Sequence, residues 1–235
     1  MSARYHNQLG KEYALSARCT PYFFLVQQSV GLAIKENYGN QSILVLDIGC
    51  GTGYTSEQVL KINKNAKVIA IDDEPLMISQ AKKRLKKFVA SKRINFVCAD
   101  AGRYLLSKKD SSFDVVVSGL TIHNFADEFR LFILREVFRV LQNKGIFINL
   151  DKYYFGGEDT KAKLFCDQIQ NFIGLLSKLK KYSLLQQWII HSVEDQALSK
   201  NMNERAAKKQ LFSCGFSEAK FVFRRGIMAV VVAKK

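Results

Sequence analysis

Short apolar runs and longer amphipathic segments alternate along the chain. The apolar runs are bounded by glycine or acidic residues, which is typical of strands buried on both faces of a parallel sheet. Between them, apolar residues recur at spacings of three and four, which predicts helices packed on that sheet. The predicted strands are residues 43–47, 67–72, 94–98, 113–119, 146–150, 221–224 and 227–233, and the predicted helices include 55–62, 127–141, 160–182, 184–198 and 203–214.

This order of elements predicts an α/β fold with a doubly wound, seven-stranded, mostly parallel sheet whose last strand is antiparallel. The regular alternation stops after the fifth strand, where two helical stretches predict a cap inserted before the last helix. We therefore divide the chain into four parts: a helical N-terminal segment (1–40), a core (41–152), a helical cap insertion (153–200), and a last helix with a terminal hairpin that completes the core (201–235).

The composition is that of a globular protein with one large domain, or one domain and a cap: 235 residues, 48% apolar, with two prolines. No apolar run approaches the roughly 20 residues that span a bilayer, and the N-terminus lacks the apolar core of a secretory signal. We expect a cytoplasmic protein, monomeric or homodimeric, with no membrane partner. Five widely separated cysteines predict reduced thiols in or near the core and no metal site.

A net charge of +15 favours binding to a polyanion such as RNA. The densest basic block, residues 82–93, also carries Leu85, Phe88 and Val89 at helical spacing, so its lysines equally suit the solvent face of an amphipathic helix. A small-molecule substrate is therefore our first expectation for the partner, and tRNA is the alternative that the charge supports.

The most informative stretch is ILVLDIGCGTGY at residues 43–54, an apolar run ending at Asp47 and followed by glycines at 49, 51 and 53. A buried strand that leads through glycines into a helix is typical of a ligand-binding turn. The dinucleotide fingerprint G-x-G-x-x-G would need glycine at the position of Tyr54. The carboxylate of Asp47 would repel a pyrophosphate and attract an ammonium or sulfonium, so the turn favours a cationic nucleoside.

The segment VLDIGCGTG resembles the first motif of class I S-adenosylmethionine-dependent methyltransferases, and the similarity continues in order from residue 20 to 235, most strongly from 45 to 150. The resemblance implies a Rossmann-like methyltransferase fold with S-adenosyl-L-methionine as cofactor and S-adenosyl-L-homocysteine as product. It also implies that the N-terminal segment folds over the cofactor as a lid. Tyr5, Tyr13 and Tyr22 are the lid candidates, with simple packing as the alternative for each.

A second acid, Asp72, ends the second strand 23 residues after the first glycine of the turn, and its carboxylate can accept hydrogen bonds from both ribose hydroxyls. Asp73 is its rival. By resemblance to later motifs of the family, Met77 would pack on adenine, and Asp100 with Ala101 would bind the adenine amine and ring nitrogen. The alternatives are an ordinary core methionine and an aspartate that caps a helix.

The complete set of predicted cofactor-binding residues is Tyr22, Asp47, Gly49, Cys50, Gly51, Gly53, Asp72, Asp73, Met77, Asp100, Ala101 and Ser118. Cys50 is expected to contribute its backbone, because nothing nearby in the sequence would activate a thiolate. The predicted transfer requires no metal.

His123 follows the fourth strand, at the point where the carboxyl end of a parallel strand opens toward the ligand crevice. Its neutral imidazole could accept a proton from the methyl acceptor or orient it, which makes His123 the candidate catalytic base. A histidine that only ties down its loop is the alternative. In the cap, Trp188 and His191 share one potential helix face and are candidates for contact with the substrate.

The predicted function is methyl transfer by in-line displacement to a small molecule. A tRNA-modifying methyl or carboxymethyl transferase and a non-catalytic S-adenosylmethionine-binding protein are the alternatives. The segment Thr20-Pro21-Tyr22 and the Gly-Phe pair at 215–216 resemble enzymes that modify the wobble uridine of tRNA by carboxymethyl transfer. Those enzymes commonly have serine where this chain has Gly51, and no arginine can be assigned to the extra carboxylate.

Overall fold

The computed structural model describes residues 8–20, 22–197 and 202–235. The strands are β1 (Leu44–Ile48), β2 (Lys67–Asp72), β3 (Ile94–Cys98), β4 (Phe113–Gly119), β5 (Leu141–Tyr154), β6 (Met202–Asn203), β7 (Glu218–Arg225) and β8 (Met228–Lys234). They form one sheet in the order β3-β2-β1-β4-β5-β8-β7, with β6 paired to the end of β5. The first five strands are parallel, and β8 runs antiparallel to both neighbours, which confirms the predicted fold class.

Helices cover both faces of the sheet and form the cap. They are α1 (Gln8–Lys11), α2 (Tyr13–Cys19), α3 (Phe23–Tyr38), α4 (Tyr54–Ile62), α5 (Pro75–Arg84), α6 (Lys86–Ala90), α7 (Ala101–Leu106), α8 (Asp127–Val140), α9 (Glu158–Lys178), α10 (Tyr182–Ala197) and α11 (Glu204–Ser213), with a 3₁₀ turn at Ile122–Asn124. Parts of the predicted segments lie outside the described residues, namely Tyr5, Pro21 and residues 198–201.

Alternating side chains of each central strand enter two separate cores. In β1, Val45 packs with α3, α4 and α5 on one face of the sheet, whereas Leu46 packs with α7, α8 and α11 on the other. In β4, Val115 and Val116 divide between the two cores in the same way. The near-continuous apolar runs of the sequence therefore fill both faces of a doubly wound sheet.

The fifth strand is longer than the predicted 146–150. It begins at Leu141, and residues 142–145, between the predicted helix and the predicted strand, lie within it at a register shift against β4. It continues to Tyr154 because β8 pairs with it as far as Lys152 and β6 pairs with its last two residues. Tyr153 is consequently buried in the core against Phe221, with ring centroids 4.8 Å apart, and is not a cap residue.

The predicted basic helix is two helices, α5 and α6, with Leu85 between them. Leu85 and Phe88 are buried, whereas Val89 and the lysines at positions 82, 83, 86 and 87 are exposed. The lysines thus cover the solvent side of an amphipathic segment, as the sequence pattern allowed.

The cap and the N-terminal helices share a third apolar cluster. Cys19 at the end of α2 packs with Phe172 and Leu176 of α9 and with Trp188 of α10. Lys181, in the turn between the cap helices, adds an ion pair with Glu12 at 2.8 Å. The N-terminal segment is therefore joined to the cap and closes the space between the cap and the sheet.

All five cysteines are free thiols. Cys19, Cys50 and Cys214 are buried, whereas Cys98 and Cys166 are exposed, so the expectation of thiols in or near the core is wrong for these two. No helix within the described ranges is both long and apolar enough to cross a membrane.

The loop that follows β4 is held by Arg130 of α8. This side chain is 5% exposed, and its guanidinium donates to the carbonyl of Ile122 at 3.3 Å, to the carbonyl of Phe125 at 2.9 Å and to Asp127 at 2.9 Å. Hydrogen bonds from a charged donor to buried carbonyls contribute more to stability than neutral ones. Arg130 therefore fixes the 3₁₀ turn that carries His123.

Replacing Arg130 by methionine should keep the apolar stem and remove all three donors. We expect the free energy of unfolding to fall by roughly 2–4 kcal/mol, because two buried carbonyls lose their charged partner. Urea denaturation measures the loss. Arg135→Met, at an exposed position of the same helix, is the control and should change stability by less than about 0.5 kcal/mol. Equal losses in the two variants would contradict this role of Arg130.

Candidate active site

The glycine turn between β1 and α4 is shaped by close approach on one side and by open space on the other. Gly49 has φ 64°, and a Cβ there would lie 2.3 Å from a side-chain carbon of Thr121, so no larger residue fits. Gly51 has φ 51°, and a Cβ there would meet no heavy atom within 4 Å. Backbone that is bare on its outer side forms a cradle for a ligand, which fits the cofactor that the sequence predicts.

Asp47 lies beneath this turn and is fully buried. One carboxylate oxygen accepts a hydrogen bond from the Ser56 hydroxyl at 2.5 Å, and the other, Oδ1, has no partner among the described residues. Burial raises the pKa of Asp47 to about 7, the Ser56 hydrogen bond opposes the rise, and the charge of Asp72 adds to it. A buried carboxylate favours a cation nearby, and the role of Asp47 at the cofactor stays a prediction.

Asp72 at the end of β2 reaches the glycine turn directly. Its carboxylate accepts the backbone N–H of Gly51 at 2.8 Å and that of Glu74 at 3.0 Å. Burial raises the pKa of Asp72 to about 6, against the lowering effect of these two hydrogen bonds. Its rival Asp73 is exposed. Asp72 is thus the acid that lies at the turn.

The adenine candidates lie on the neighbouring strand ends. The N–H of Ala99 donates to the Asp72 carbonyl at 3.0 Å, which brings the turn at Asp100 and Ala101 next to the ribose candidate. Asp100 also caps α7 by accepting the N–H of Arg103 at 3.0 Å. Asp100 therefore caps the helix, and its contact with adenine stays a prediction.

Several other predicted cofactor residues have structural contacts. The Ser118 hydroxyl is buried and donates to the Ile48 carbonyl at 3.1 Å, which links β4 to β1. The Cys50 thiol is buried, and burial raises its pKa well above the ordinary value, so it is not a nucleophile. Met77 is 3% exposed on α5, and Gly53 precedes α4 with φ 85°. Their roles at the cofactor stay predictions.

His123 forms a buried pair with Asp151 of β5. The ring Nδ1 lies 2.5 Å from Asp151 Oδ1, and the backbone N–H of His123 donates to the second oxygen at 3.1 Å. Asp151 is fully buried and also accepts the N–H of Lys152 at 2.9 Å. His123 also lines the cavity described below, and the contact with Nδ1 leaves Nε2 as the other ring nitrogen. Asp151 directly follows the predicted fifth strand, residues 146–150, but the sequence does not indicate that it pairs with His123.

A cavity of about 370 Å³ lies between the carboxyl ends of β4 and β5, the N-terminal helices and the cap. Leu120 and His123 border it on the sheet side, and the Thr121 hydroxyl between them donates to the Gly49 carbonyl at 2.9 Å, so the cavity adjoins the glycine turn. The cap contributes Trp188 and His191, both named as substrate candidates.

Aromatic rings from the N-terminal segment form another wall of the cavity. Tyr22, 58% exposed, and Tyr13 both line it, and the Tyr13 ring lies 6.2 Å from that of Trp188. Burial raises the pKa of Tyr13 to about 12, and the charges of Asp72 and Asp151 add to the rise. Tyr13 therefore stays neutral and lies within electrostatic range of both acids. Lys152 and Arg225, which sequence reasoning did not identify, also line the cavity.

Comparisons with known proteins agree with this geometry. Residues 45–145 match the family model described as a methyltransferase domain. The demethylmenaquinone methyltransferase of Leptospira interrogans is 35% identical over 49% of this chain and 45% of its own length. The carboxy-S-adenosyl-L-methionine synthase of Campylobacter fetus is 23% identical over 93% of this chain and 88% of its own.

A solved structure shares the fold over almost the whole chain. The S-adenosylmethionine-dependent methyltransferase from Aquifex aeolicus superposes with a TM-score of 0.62 at 17% identity, over 97% of this chain and 98% of that one. This chain spans a little under half the length of the demethylmenaquinone methyltransferase that it matches. Residues 45–145 therefore carry a methyltransferase domain, and the fold and the glycine turn agree with the class I S-adenosylmethionine-dependent methyltransferases.

Proposed function

We propose that the protein transfers a methyl group to a small molecule bound in the cavity beneath the cap. The observation that carries the proposal is the His123–Asp151 pair, which borders this cavity beside the glycine turn. A histidine whose Nδ1 is held by a buried carboxylate presents its other nitrogen as a base. The relatives named as a demethylmenaquinone methyltransferase and a carboxy-S-adenosyl-L-methionine synthase support a small-molecule acceptor.

The cofactor would be held by the backbone of the glycine turn, with Asp72 as the acceptor for the ribose hydroxyls. Asp47 below the turn supplies negative field for the positive charge of the sulfonium. When bound, S-adenosylmethionine supplies an electrophilic methyl group. A base and a positioned acceptor are then what the protein must add, and positioning alone can contribute roughly 7–11 kcal/mol to lowering a barrier.

His123 accepts the proton of the acceptor at Nε2 in this mechanism. Asp151 holds the ring with Nδ1 protonated and stabilises the imidazolium that forms. The shared cluster of α2, α9 and α10 covers the cavity on the side of the cap. Transfer to tRNA stays a prediction, supported by the net charge of +15 and by the exposed lysines of α5 and α6.

The first test separates the two acids that follow β2. Asp72→Asn should weaken binding of S-adenosylhomocysteine by ten-fold or more, because a charge-assisted hydrogen bond contributes roughly 1.5–3 kcal/mol. Isothermal titration calorimetry measures the affinity. Asp73→Asn, which changes the exposed neighbour, should bind like the unaltered protein. If both variants keep full affinity, Asp72 does not bind the ribose.

The raised pKa of Asp47 predicts a dependence of stability on pH. Because the folded pKa of about 7 exceeds the ordinary pKa of 3.8, the stability that this group contributes is fully present below the unfolded pKa and is lost as the pH rises through about 7. Between pH 5 and pH 8, the free energy of unfolding of the ligand-free protein should fall by roughly 2–3 kcal/mol more than that of the Asp47→Asn variant.

Urea denaturation of both proteins at the two pH values measures this difference. Asp72 titrates in both proteins, so the comparison isolates Asp47. Asparagine can still accept the Ser56 hydroxyl, and the variant should therefore fold. An identical pH dependence in the two proteins would show that Asp47 is ionised at pH 5 in the folded state.

His123→Gln should slow methyl transfer by roughly 10²–10⁴-fold while leaving the affinity for S-adenosylhomocysteine unchanged. The rate is measured as formation of S-adenosylhomocysteine on addition of a protein-free metabolite extract, with mass spectrometry of the products. A variant that turns over at the original rate would exclude His123 as the base. No product with either protein would favour the non-catalytic binding protein.

A further inference from the structure

The basic residues of the protein are distributed unevenly along the chain. Residues 58–71 and 75–99 contain ten of the 36 basic residues and none of the 21 acidic ones. They form the end of α4, the strands β2 and β3, and the helices α5 and α6. These elements lie together at one side of the sheet, because β3 is its edge strand and β2 is the neighbour of β3. Positive potential is therefore concentrated at this side of the protein.

Most of the lysines on this side have no acidic partner. Lys61 pairs with Glu57 at 2.8 Å. Seven other exposed lysines form no ion pair within the part of the chain that the structure describes, and we call them the basic surface: Lys64, Lys67, Lys82, Lys83, Lys86, Lys87 and Lys92. Like charges that lie close together repel one another. A polyanion that reaches several of these lysines at once would relieve the repulsion.

Arg93 joins the separate segments of the basic surface. Its guanidinium donates to the carbonyl of Leu60 at 3.0 Å and to that of Asn63 at 2.6 Å, at the end of α4. Its backbone N–H donates to the carbonyl of Phe88 in α6 at 2.9 Å. The lysines near the starts of β2 and β3 are therefore held beside those of α6. The seven lysines form one continuous surface.

The other end of the basic surface reaches the glycine turn. Lys83 lines a groove with Lys11 of α1 and with Arg84, and this groove borders Thr52. The Arg84 Nε donates to the Thr52 carbonyl at 3.0 Å. The cavity proposed for the methyl acceptor lies on the other side of β1, between the ends of β4 and β5 and the cap. The basic surface and the acceptor cavity are therefore different parts of the protein.

The side chains around the basic surface favour a phosphate backbone over an apolar partner. Val89, 40% exposed, is the one exposed large apolar residue in the range 58–99. Binding to a membrane or tight binding to another protein needs several apolar or aromatic anchors. Phe88, the aromatic residue of α6, is buried and so cannot stack on the bases of a single strand. Lysines bind phosphates as point charges and need no such anchor.

We propose that the basic surface binds the sugar–phosphate backbone of a double-helical segment of RNA. The helices α5 and α6 are packed against the sheet through Leu85 and Phe88, so neither projects as a helix that could enter the major groove of B-DNA. The minor groove of A-form RNA is wide and shallow, which opens its phosphates to a flat surface. Contacts of this kind do not read the base sequence. The binding is independent of which molecule accepts the methyl group.

Fluorescence anisotropy of a labelled RNA duplex tests this proposal. The duplex has about 20 base pairs, somewhat more than a typical double-stranded RNA-binding module covers. The full-length protein is titrated at several KCl concentrations between about 50 and 200 mM. If four to six lysines each neutralise one phosphate, the logarithm of the binding constant should fall with the logarithm of the salt concentration with a slope of roughly −3 to −5.

Two triple variants remove lysines from opposite ends of the basic surface. Lys83→Gln, Lys86→Gln and Lys87→Gln form one variant, and Lys64→Gln, Lys67→Gln and Lys92→Gln form the other. Each should weaken binding of the RNA duplex at least ten-fold and reduce the magnitude of the salt slope by roughly 2–3, because each lost phosphate contact reduces it by about one. All six positions are exposed, so both variants should keep the thermal stability of the unaltered protein.

A matched control removes the same charge elsewhere. Lys208→Gln, Lys220→Gln and Lys234→Gln change lysines that are paired with Glu204 or Glu218 near the other end of the sheet. This variant should bind the RNA duplex within about two-fold of the unaltered protein, because it leaves the basic surface intact. Equal losses in all three variants would show that binding follows net charge, and the proposed surface would then be wrong.

Two further ligands test the class of partner. A DNA duplex of the same sequence should bind more weakly than the RNA duplex, and vesicles that contain phosphatidylserine should not sediment the protein at the same salt concentration. The RNA proposal is wrong if DNA binds as tightly, if the vesicles bind and the RNA does not, or if the salt slope is absent. The affinity for S-adenosylhomocysteine, measured by calorimetry on every variant, should stay unchanged, so failure to bind RNA leaves the methyltransferase proposal standing.

Discussion

The site depends on acids that are held, with their donors, at the carboxyl edge of a sheet buried on both faces. The interior of such a sheet disfavours polar groups that lack partners, so charged groups collect toward the ends of the strands. Three acids lie there, on β1, β2 and β5: Asp47, Asp72 and Asp151. Because Asp72 accepts the N–H of Gly51 and Asp151 holds His123, satisfying these acids also positions the loops that border the ligand space.

The acids do not have equivalent environments, and the differences suit different tasks. Asp151 is surrounded by donors from His123 and the backbone, so it orients a base. Asp72 is anchored by two backbone N–H groups at the turn and can accept more hydrogen bonds there. Asp47 keeps an oxygen that has no partner in the part of the chain that the structure describes, and its raised pKa lowers the stability of the ligand-free protein and favours a bound cation. Stability is thus lower where the cofactor is proposed to bind.

The cap and the N-terminal segment act as one cover over the cavity. The cluster around Phe172 and Trp188 includes Cys19 of α2, and Tyr13 reaches from the same helix toward the charges of Asp72 and Asp151. The helices that close the acceptor space are therefore packed against one another as well as on the core. This arrangement links the proposed cofactor side of the site to the proposed acceptor side through a few aromatic contacts.

The sequence by itself determined the elements whose signal is local. Apolar runs located β1, β2 and β4 almost to the residue, because a strand in the interior of a sheet covered on both faces is largely apolar. The edge strand β3 was located equally well, although Ile94 alone of its residues is buried. The glycine turn and Asp72 were also found from the sequence, because a tight turn and the end of a strand are determined by residues that are neighbours in the chain. The lengthening of β5 was missed because it depends on pairing with β8 and β6, which come much later in the sequence.

Only the tertiary structure decided the contacts between distant segments. His123 and Asp151 are 28 residues apart and meet because β4 and β5 are parallel neighbours. Lys152 and Arg225 meet at one cavity because the terminal hairpin returns alongside β5, and no local pattern marks either residue. The indole Nε1 of Trp188 has no hydrogen-bond partner within the described ranges, and this could not be read from the sequence, because whether a buried donor is satisfied depends on every element packed around it.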